Sequence, residues 1–480
     1  MDLKDKSLDY LSHLYNNTYY TDNDEFSIFK QFVEKNYNLA YDNGNLSSSS
    51  LIHKLENLAK QYKDYIKIHK CLIPEGILPQ DKIGYLYDIN VHMYAKYRKE
   101  LQKQNKFFGN GDDHIYKTFP EIQKNIPRGL TICKIKNKKN NDNDDDDDDN
   151  DIEFQDICIY ANKKFTGISD IDDDDNHDNY EKYFIQDTST TKNIISMEKM
   201  NGDSFHFSYR FLYDKWYLFI GSKNSHIMIS EKSDIDLYTD DRYNVSKKFA
   251  KSFFTQILNN KSRKDLIALY NLIHFTKITA ICEILQPSYQ HIVAISNSNN
   301  DDDDDDDDSK IIFLHFSPTF NELNSLTAFP PHITIKVMKL LNLTCAPYRI
   351  IDNLNHIEKE NIRQDTNSEG RVLYYLNENY ETIGLVKLKT IWYTCLRALR
   401  EKVTWYIKTK SNDIWVKIDE RYDKIQQQQF NLTHDEVNYW KEIAKNFIEW
   451  LTHQSYFRID AHTIRTNFPI IWKKFMEERE

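Results

Sequence analysis

The feature that most constrains the fold is a long central region, from Gly129 to Lys389, in which short apolar segments alternate irregularly with helical ones. The apolar segments are rich in isoleucine, valine and aromatic residues, which strands favour: 130–135, 157–160, 216–220, 278–284, 311–314, 371–375 and 385–389. Helical periodicity lies between them, most clearly over 243–258 and 333–341. Because strands and helices follow no regular alternation, the pattern predicts an α+β domain on antiparallel sheets.

Both ends of the chain are predicted to be helical. Residues 51–68 carry apolar side chains at helical spacing. Residues 435–451 form an amphipathic stretch, and Thr433 and Glu436 before it match a capping pattern. We therefore expect a helical N-terminal extension over 1–115, a central domain over 116–400 and a helical C-terminal segment over 401–480.

Three runs of aspartate dominate the net charge of −11. The runs are Asp144–Asp149, Asp172–Asp175 and Asp301–Asp308. They carry 18 negative charges, so the rest of the chain has a net charge of +7. Such runs repel themselves and stay solvated, which favours low-complexity loop inserts, disordered and lying between strands, over acidic calcium buffers or decoys for basic partners. The remaining framework is mildly basic.

The six cysteines stand far apart, with neither a C-x-x-C pair nor a cysteine–histidine cluster. This spacing predicts free thiols in a reducing compartment and argues against a zinc site. The first residues lack an apolar signal core, and no window is long and apolar enough to span a membrane. We therefore expect an intracellular protein, cytoplasmic or nuclear, without a membrane partner.

A lysine stands at the end of an apolar, strand-like segment. The stretch Lys199–Gly202, which reads K-M-N-G, follows residues 194–197 and precedes the alternating segment 203–209. Lys199 would project from a strand end, and Gly202 would let the backbone turn close to a ligand. A lysine amine becomes a good nucleophile when it is desolvated or crowded by cations. Taken alone, these four letters favour a plain turn over catalysis.

Later segments add charged residues that suit a phosphate-binding site. Glu283 is the single carboxylate of an apolar strand-like segment, and Glu369 begins another. Lys387 and Lys389 are two residues apart in a strand-like segment, so their side chains point to one face. Such lysines repel each other unless an anion lies between them, and phosphate is an obvious candidate. Singly, each residue also fits a structural role in a salt bridge, a turn or a solvated strand.

In order, these motifs resemble the set of the covalent nucleotidyltransferase superfamily: K-x-N-G, a glutamate on an apolar strand, E-G-x-V and V-K-x-K. The sequence is most similar to the RNA ligase 1-like group, typified by the phage tRNA-repair ligase. Residues 385–393 resemble that group's V-K-x-K-T-x-W-Y, residues 127–129 its A-R-G, and residues 162–167 its K-F-F-N. The likeness covers about residues 120–400, and it implies a ligase-type (ATP-grasp-like) nucleotidyltransferase domain.

The resemblance also implies a chemistry. Lys199 would attack the α-phosphate of ATP and hold AMP, which then passes to an RNA 5′-phosphate before a 3′-hydroxyl displaces it. Lys387 and Lys389 would bind the α-phosphate and lower the pKa of Lys199. Glu369 would hold Mg²⁺, and Glu283 would contact the metal or the ribose.

Five further residues are implied to contact the nucleotide: Arg128, Lys164, Glu198, Gly202 and Lys223. Arg128 and Lys164 would bind the β- and γ-phosphates. Glu198 would line the adenine pocket, and Lys223 would contact the ribose or the substrate.

Two other classes of function stay open at this point. A GTP-using capping enzyme or a DNA ligase would usually carry an OB-fold after the last motif, whereas the residues after Thr390 are predicted to be helical. A non-catalytic nucleotide- or RNA-binding protein with a ligase fold is the third class. The motif residues are all present, so we expect an ATP-dependent RNA ligase of RNA repair, with ATP and Mg²⁺ as cofactors and RNA as partner. His206, His291 and His315 are predicted to be structural.

Overall fold

The computed structural model describes residues 3–19, 23–41, 48–94, 99, 103, 111–138, 151–168, 180–295, 309–319, 328–428, 430–453 and 460–479. The three aspartate runs lie outside the described residues. Within those residues the chain combines three sheets with helices at both ends.

The strands, in chain order, are β1 (Ile66–Leu72), β2 (Lys82–Val91), β3 (Leu130–Asn137), β4 (Ile152–Tyr160), β5 (Thr166–Gly167), β6 (Thr191–Glu198), β7 (Asp203–Leu212), β8 (Lys215–Ser222), β9 (His226–Ile229), β10 (Thr279–Leu285), β11 (Lys310–Ser317), β12 (Tyr348–Ile351), β13 (Gly370–Asn377) and β14 (Thr382–Lys389). The first sheet has the order β1-β2-β3-β4, the second β11-β10-β7-β8-β9 and the third β12-β6-β13-β14-β5. Strands β5 and β14 pair in parallel, and the other pairs are antiparallel.

The helices, in chain order, are α1 (Leu3–Thr18), α2 (Asn23–Tyr41), α3 (Ser48–Gln61), α4 (Gly111–Thr118), α5 (Pro120–Asn125), α6 (Asn244–Phe253), α7 (Arg263–Thr276), α8 (Pro331–Leu340), α9 (His356–Arg363), α10 (Ile391–Thr409), α11 (Ile414–Gln428), α12 (His434–His453) and α13 (Ala461–Arg479). No described helix is both long enough and apolar enough to cross a membrane.

The second and third sheets share one apolar core and are linked by the lysine motif. The chain leaves β6 of the third sheet at Glu198 and enters β7 of the second sheet at Asp203. Ile195 and Phe207, on these two strands, are fully buried in that core. The residues Lys199–Gly202 therefore span the junction between two sheets.

A buried charge network joins the first sheet to the second. Asp156 on β4 accepts hydrogen bonds from Arg210 Nε on β7 at 2.6 Å and from Lys277 Nζ at 2.8 Å. The Asp156 and Arg210 side chains are almost completely buried. Burial raises the pKa of Asp156, but the two cations outweigh this and hold it well below its ordinary value. Since an unpaired buried charge is costly, the network fixes how the two sheets meet.

The four C-terminal helices form their own apolar core, which includes the fully buried Leu396, Ile418, Phe447 and Phe468. Helix α12 begins with the predicted capping box. Glu436 N donates to Thr433 Oγ1 at 3.2 Å, and Thr433 N donates to Glu436 Oε2 at 2.8 Å. After β14 the described residues contain no further strand.

The predicted α+β class with antiparallel sheets and helical termini is confirmed. The predicted helix over 51–68 is too long, because α3 ends at Gln61 and Ile66 begins β1. Strand β1 forms through pairing with β2, a long-range interaction that local periodicity does not report.

The division at residues 115 and 400 stays a prediction. Strands β1 and β2, from the first predicted range, pair into one sheet with β3 and β4 from the second. Helix α10 runs without interruption through residue 400.

Candidate active site

A cleft of about 690 Å³ opens between the second and third sheets, beside Lys199. Its third-sheet wall includes Met197, Val372 and Tyr374. Its second-sheet wall includes Ile281 and Leu314. Basic side chains also reach it: Arg128, Lys163, Lys199, Lys223, Lys248 and Lys387. The cleft thus combines apolar walls with a concentration of positive charge, which suits a nucleotide.

Lys199 lines this cleft and is held by Glu369 and Gly370, at the start of β13. Its Nζ atom lies 2.9 Å from Glu369 Oε1, and its backbone N–H donates to Gly370 O at 2.9 Å. The Glu369 side chain is 5% exposed, whereas that of Lys199 is 19% exposed and reaches the cleft. Lys389 Nζ lies 3.8 Å from the same Glu369 oxygen. One buried carboxylate therefore anchors two of the predicted lysines.

Gly370 is required for this arrangement. Its φ is +119°, a backbone conformation that residues other than glycine rarely adopt. A Cβ atom at this position would lie 2.1 Å from Leu388 O on the neighbouring strand β14. The glycine therefore lets the backbone pass close to β14. Glu369 lies directly before Gly370, where the pairing of β13 with β14 begins.

Asn201 connects Glu369 to the loop after β10, a role that was not predicted from the sequence. Its Nδ2 donates to Glu369 Oε2 at 2.8 Å. Its Oδ1 accepts the backbone N–H groups of Ile292 and Val293, each at 2.9 Å. The only sequence signal for this role is the asparagine in the K-x-N-G motif.

Glu283 and Gly202 also interact directly. Gly202 N donates to Glu283 Oε1 at 3.0 Å. A Cβ atom on Gly202 would lie 2.3 Å from Ile284 O, so glycine permits close approach to β10. Gly202 also lines the cleft, and its predicted closeness to a ligand stays a prediction. Burial raises the pKa of Glu283 to about 7, against the opposing effect of Lys199.

The expectation that neighbouring lysines lower the pKa of Lys199 is wrong for this arrangement. Burial does lower it, but the Glu369 and Glu283 carboxylates outweigh burial and raise the pKa above its ordinary value. The two other lysines behave in the opposite way. Burial and the surrounding cations hold the pKa of Lys387 well below its ordinary value. Burial, partly offset by Glu369, lowers that of Lys389 to about 8.

The structure brings the ten predicted site residues into one region, in three groups. Seven of them line the cleft: Arg128, Glu198, Lys199, Gly202, Lys223, Glu283 and Lys387. Lys164 and Lys389 line an adjoining groove, and Glu369 is buried beneath Lys199. Lys163, rather than the predicted Lys164, faces the cleft, and burial lowers its pKa to about 8.

Comparisons with known proteins find a limited structural similarity between this chain and solved structures. No family model matches the chain, and no curated protein does. Among solved structures, an archaeal ATP-dependent RNA ligase (form 2) matches with 8% identity and a TM-score of 0.33, over 81% of this chain and 84% of that one. Form 1 matches with 8% identity and a TM-score of 0.34, over 73% and 74%. These TM-scores are low, and the phage-type subgroup stays a prediction.

The carboxylates of the site fit a magnesium ion only in part. Within the described residues, no group of three or more acidic, histidine or cysteine side chains could hold a metal ion. Both Glu369 oxygens are engaged, one by lysines and one by Asn201. Glu283 lines the cleft, and Mg²⁺ commonly needs one or two carboxylates together with substrate phosphates. Glu283 is therefore the better-placed of the two predicted ligands.

Two of the three histidines are buried, His206 at 2% and His315 at 0% exposure. His315 Nδ1 lies 3.0 Å from Phe316 O, and its Nε2 lies 3.0 Å from Asn162 Nδ2. Burial lowers the pKa of both histidines, to about 4 for His315. These contacts favour the predicted structural role for His315.

Proposed function

We propose that this chain is an ATP-dependent RNA ligase that joins 5′-phosphate and 3′-hydroxyl ends through a lysyl-AMP intermediate on Lys199. The observation that carries the proposal is the position of the Lys199 amine. It is fixed by Glu369, faces a cleft of nucleotide size and lies among further cations. A lone structural lysine would need neither the cleft nor the surrounding positive charge.

In the first step, Lys199 Nζ attacks the α-phosphorus of ATP. A phosphorus–nitrogen bond forms and the bond to pyrophosphate breaks, while the ammonium group gives up two protons to solvent and keeps one N–H in the phosphoramidate. Because the carboxylates raise the pKa of Lys199, the amine is charged before reaction, so proton loss is part of this step. Lys387, whose pKa is lowered, lines the same cleft and would contact the α-phosphate.

Three further cations of the cleft would bind the leaving pyrophosphate. Arg128, Lys163 and Lys223 line the cleft together. Burial and nearby Arg128 lower the pKa of Lys223, which indicates positive charges crowded in a confined space. Phosphoryl transfer depends mainly on positioning and charge stabilisation, and this cluster would supply both. Mg²⁺ held by Glu283 would neutralise charge on the phosphates of ATP.

The apolar part of the cleft would hold the adenine ring. Met197 and Val372 lie on one sheet, and Ile281 and Leu314 on the other. A flat base between two apolar walls gains from burial on both faces. Glu198 at the rim, 3.8 Å from Arg371, would contact the base edge.

The test is incubation with α-labelled ATP and Mg²⁺, followed by denaturing electrophoresis. We expect label on the wild type and none on Lys199→Ala. Lys192→Ala is a matched control, because this lysine also belongs to β6 but pairs with Glu378 at the surface. The control should retain the label. Absence of label on the wild type with every nucleotide and metal tested would overturn the proposal in favour of a non-catalytic binding protein.

The same assay with α-labelled GTP distinguishes a capping-type enzyme. Label from GTP but not from ATP would replace the ligase proposal. Ligation of single-stranded, nicked-duplex and tRNA-like hairpin RNA then identifies the substrate. We expect sealed RNA from at least one of these, with none from Lys199→Ala.

A further inference from the structure

A second cavity, of about 1050 Å³, adjoins the cleft. We call it the basic groove; its walls come from β5, the end of β14, α10 and α11, together with nearby loop residues. Phe165 and Lys387 line both cavities, and Lys387 Nζ lies 4.4 Å from the centre of the Phe165 ring. The two cavities therefore meet at the lysine proposed to bind the α-phosphate.

The basic groove is strongly positive, although the whole chain is acidic. Eleven of its 22 lining residues are lysine or arginine, and two are glutamate. The chain as a whole carries a net charge of −11. A concentration of like charge in one concave surface is the electrostatic signature of a site for a polyanion.

The C-terminal helices supply much of this charge in a regular arrangement. Lys417, Arg421 and Lys424 are spaced four and three residues apart, so they follow one face of α11. Lys402 on α10 also lines the basic groove. Burial lowers its pKa, and Arg421 and Lys417 lower it further. Within the described part of the chain, neither Lys402, Arg421 nor Lys424 forms a salt bridge. These cations repel one another and would be stabilised by bound phosphates.

An aromatic side chain lies among these cations. Trp405 on α10 lines the basic groove and is partly exposed, and Lys417 Nζ lies 5.2 Å from its ring centre. Proteins that bind single strands combine a positive groove along the backbone with aromatic rings on which unpaired bases stack. Trp405 can provide such a ring, since unpaired bases, unlike those of a duplex, are free to stack on it.

We propose that the basic groove binds single-stranded RNA, which runs from Lys387 along α10 and α11 to the cations of α11. The proposal rests on the proposed function, because the RNA end must reach the nucleotide at Lys199. It assigns RNA binding to helices α10 and α11, which follow the last motif of the nucleotidyltransferase resemblance. Phosphates would contact Lys402, Lys417, Arg421 and Lys424, and a base would stack on Trp405.

The test measures the affinity for a fluorescently labelled single-stranded RNA by anisotropy at several salt concentrations. The groove variant is Lys417→Ala/Arg421→Ala/Lys424→Ala. The control variant Lys232→Ala/Lys473→Ala/Lys474→Ala removes the same charge from surfaces outside the groove. We expect the groove variant to bind about 10- to 100-fold more weakly, with a shallower salt dependence. The control should stay within about twofold of the wild type by the same reasoning.

A second variant separates stacking from charge. Trp405→Ala should weaken binding about fivefold or more while leaving the salt dependence unchanged, because it removes stacking and no charge. Circular dichroism confirms that each variant is folded. Label transfer from ATP to Lys199 should be unchanged in the groove variant, since none of its three residues lines the cleft.

Two results would overturn the inference. One is equal RNA affinity in the groove and control variants. The other is equally tight binding of a polyglutamate peptide of matched charge, which would make the groove a general polyanion surface. Failure of the proposed function looks different, because Lys199 would then take no label from ATP while groove-dependent RNA binding persisted.

Discussion

At the scale of single residues, the site depends on how the charge of Glu369 is balanced. This buried carboxylate faces Lys199 and Lys389 through one oxygen and Asn201 through the other. Burial raises its pKa, but the two lysines outweigh burial and hold the pKa below its ordinary value. Glu369 therefore stays ionised and fixes the Lys199 amine in place.

Asn201→Ala should impair both stability and the reaction with ATP. The change leaves the N–H groups of Ile292 and Val293 without their acceptor and removes one donor to Glu369. Unsatisfied buried groups cost about 1–3 kcal/mol each, so we expect the free energy of unfolding to fall by about 2–4 kcal/mol. The rate of Lys199 labelling should fall at least about tenfold, because a misplaced nucleophile reacts slowly.

Denaturant unfolding and single-turnover labelling measure these two effects of Asn201→Ala. Asn193→Ala serves as the control, because it changes the same residue type near the far end of β6. Wild-type labelling by Asn201→Ala would show that Asn201 does not position the nucleophile.

Gly370→Ala should destabilise the protein through close contact as well as backbone strain. The new Cβ atom would lie 2.1 Å from Leu388 O, at a φ of +119°. We expect a loss of about 3 kcal/mol or more, measured by urea unfolding. Gly76→Ala is the matched control, because Gly76 has a φ of +92° with nothing within 4 Å of the added atom. It should lose only about 1 kcal/mol from the strained backbone. Equal losses in both variants would contradict the role of the contact with β14.

At the scale of strands and helices, buried polar groups set how the sheets meet. His315 on β11 contacts Asn162, whose backbone oxygen accepts from Arg128 N. The end of the second sheet is thereby tied to the segment that carries Arg128 into the cleft. Such contacts depend on a neutral imidazole, which gives them a pH dependence.

Stability should fall in acid because His315 is neutral in the folded state. Its folded pKa is lowered to about 4, whereas the unfolded chain binds the proton near pH 6.5. The unfolded state therefore binds more protons between these values, and stability decreases as pH falls through that window. One such group contributes a slope of up to about 1.4 kcal/mol per pH unit.

Melting temperatures between pH 7.5 and 4.5 test this prediction for His315. His315→Gln should flatten the curve, while His13→Gln, at an exposed position, should leave it unchanged. A curve for His315→Gln with the wild-type slope would contradict a neutral His315 in the folded protein.

At the scale of the whole molecule, the N-terminal helices belong to the central core. Leu11 of α1 and Phe29 of α2 are buried, at 0% and 1% exposure, against the core of the second and third sheets. Tyr10 Oη donates to Asp265 Oδ1 on α7 at 2.9 Å, and Asn271 Nδ2 donates to Ser7 Oγ at 2.9 Å. The helices are therefore packed as part of the domain.

Deletion of residues 1–41 should destabilise the whole protein, because it exposes the apolar surfaces of α7 and α8 that these helices cover. Each large buried side chain contributes about 1.5–3 kcal/mol, and the deletion removes several. We expect aggregation or a melting temperature lower by more than 10 °C, which follows from a loss of several kcal/mol. Light scattering and calorimetry measure both. A deletion variant with wild-type stability would mean that the helices are a dispensable extension.

The sequence alone was sufficient to predict the α+β class. It also indicated ten candidate site residues, which the structure brings into one region and whose roles stay predictions. The periodicity of the strands and the order of the motifs are both visible in the sequence itself, without tertiary information. Only the tertiary structure decided that β1 pairs with β2, that Lys163 faces the cleft and that Asn201 holds Glu369. It also decided that carboxylates raise the pKa of Lys199. The physical reason is that pairing, burial and charge balance depend on residues distant in the chain, so the lysine motif acquires its properties only where two sheets meet.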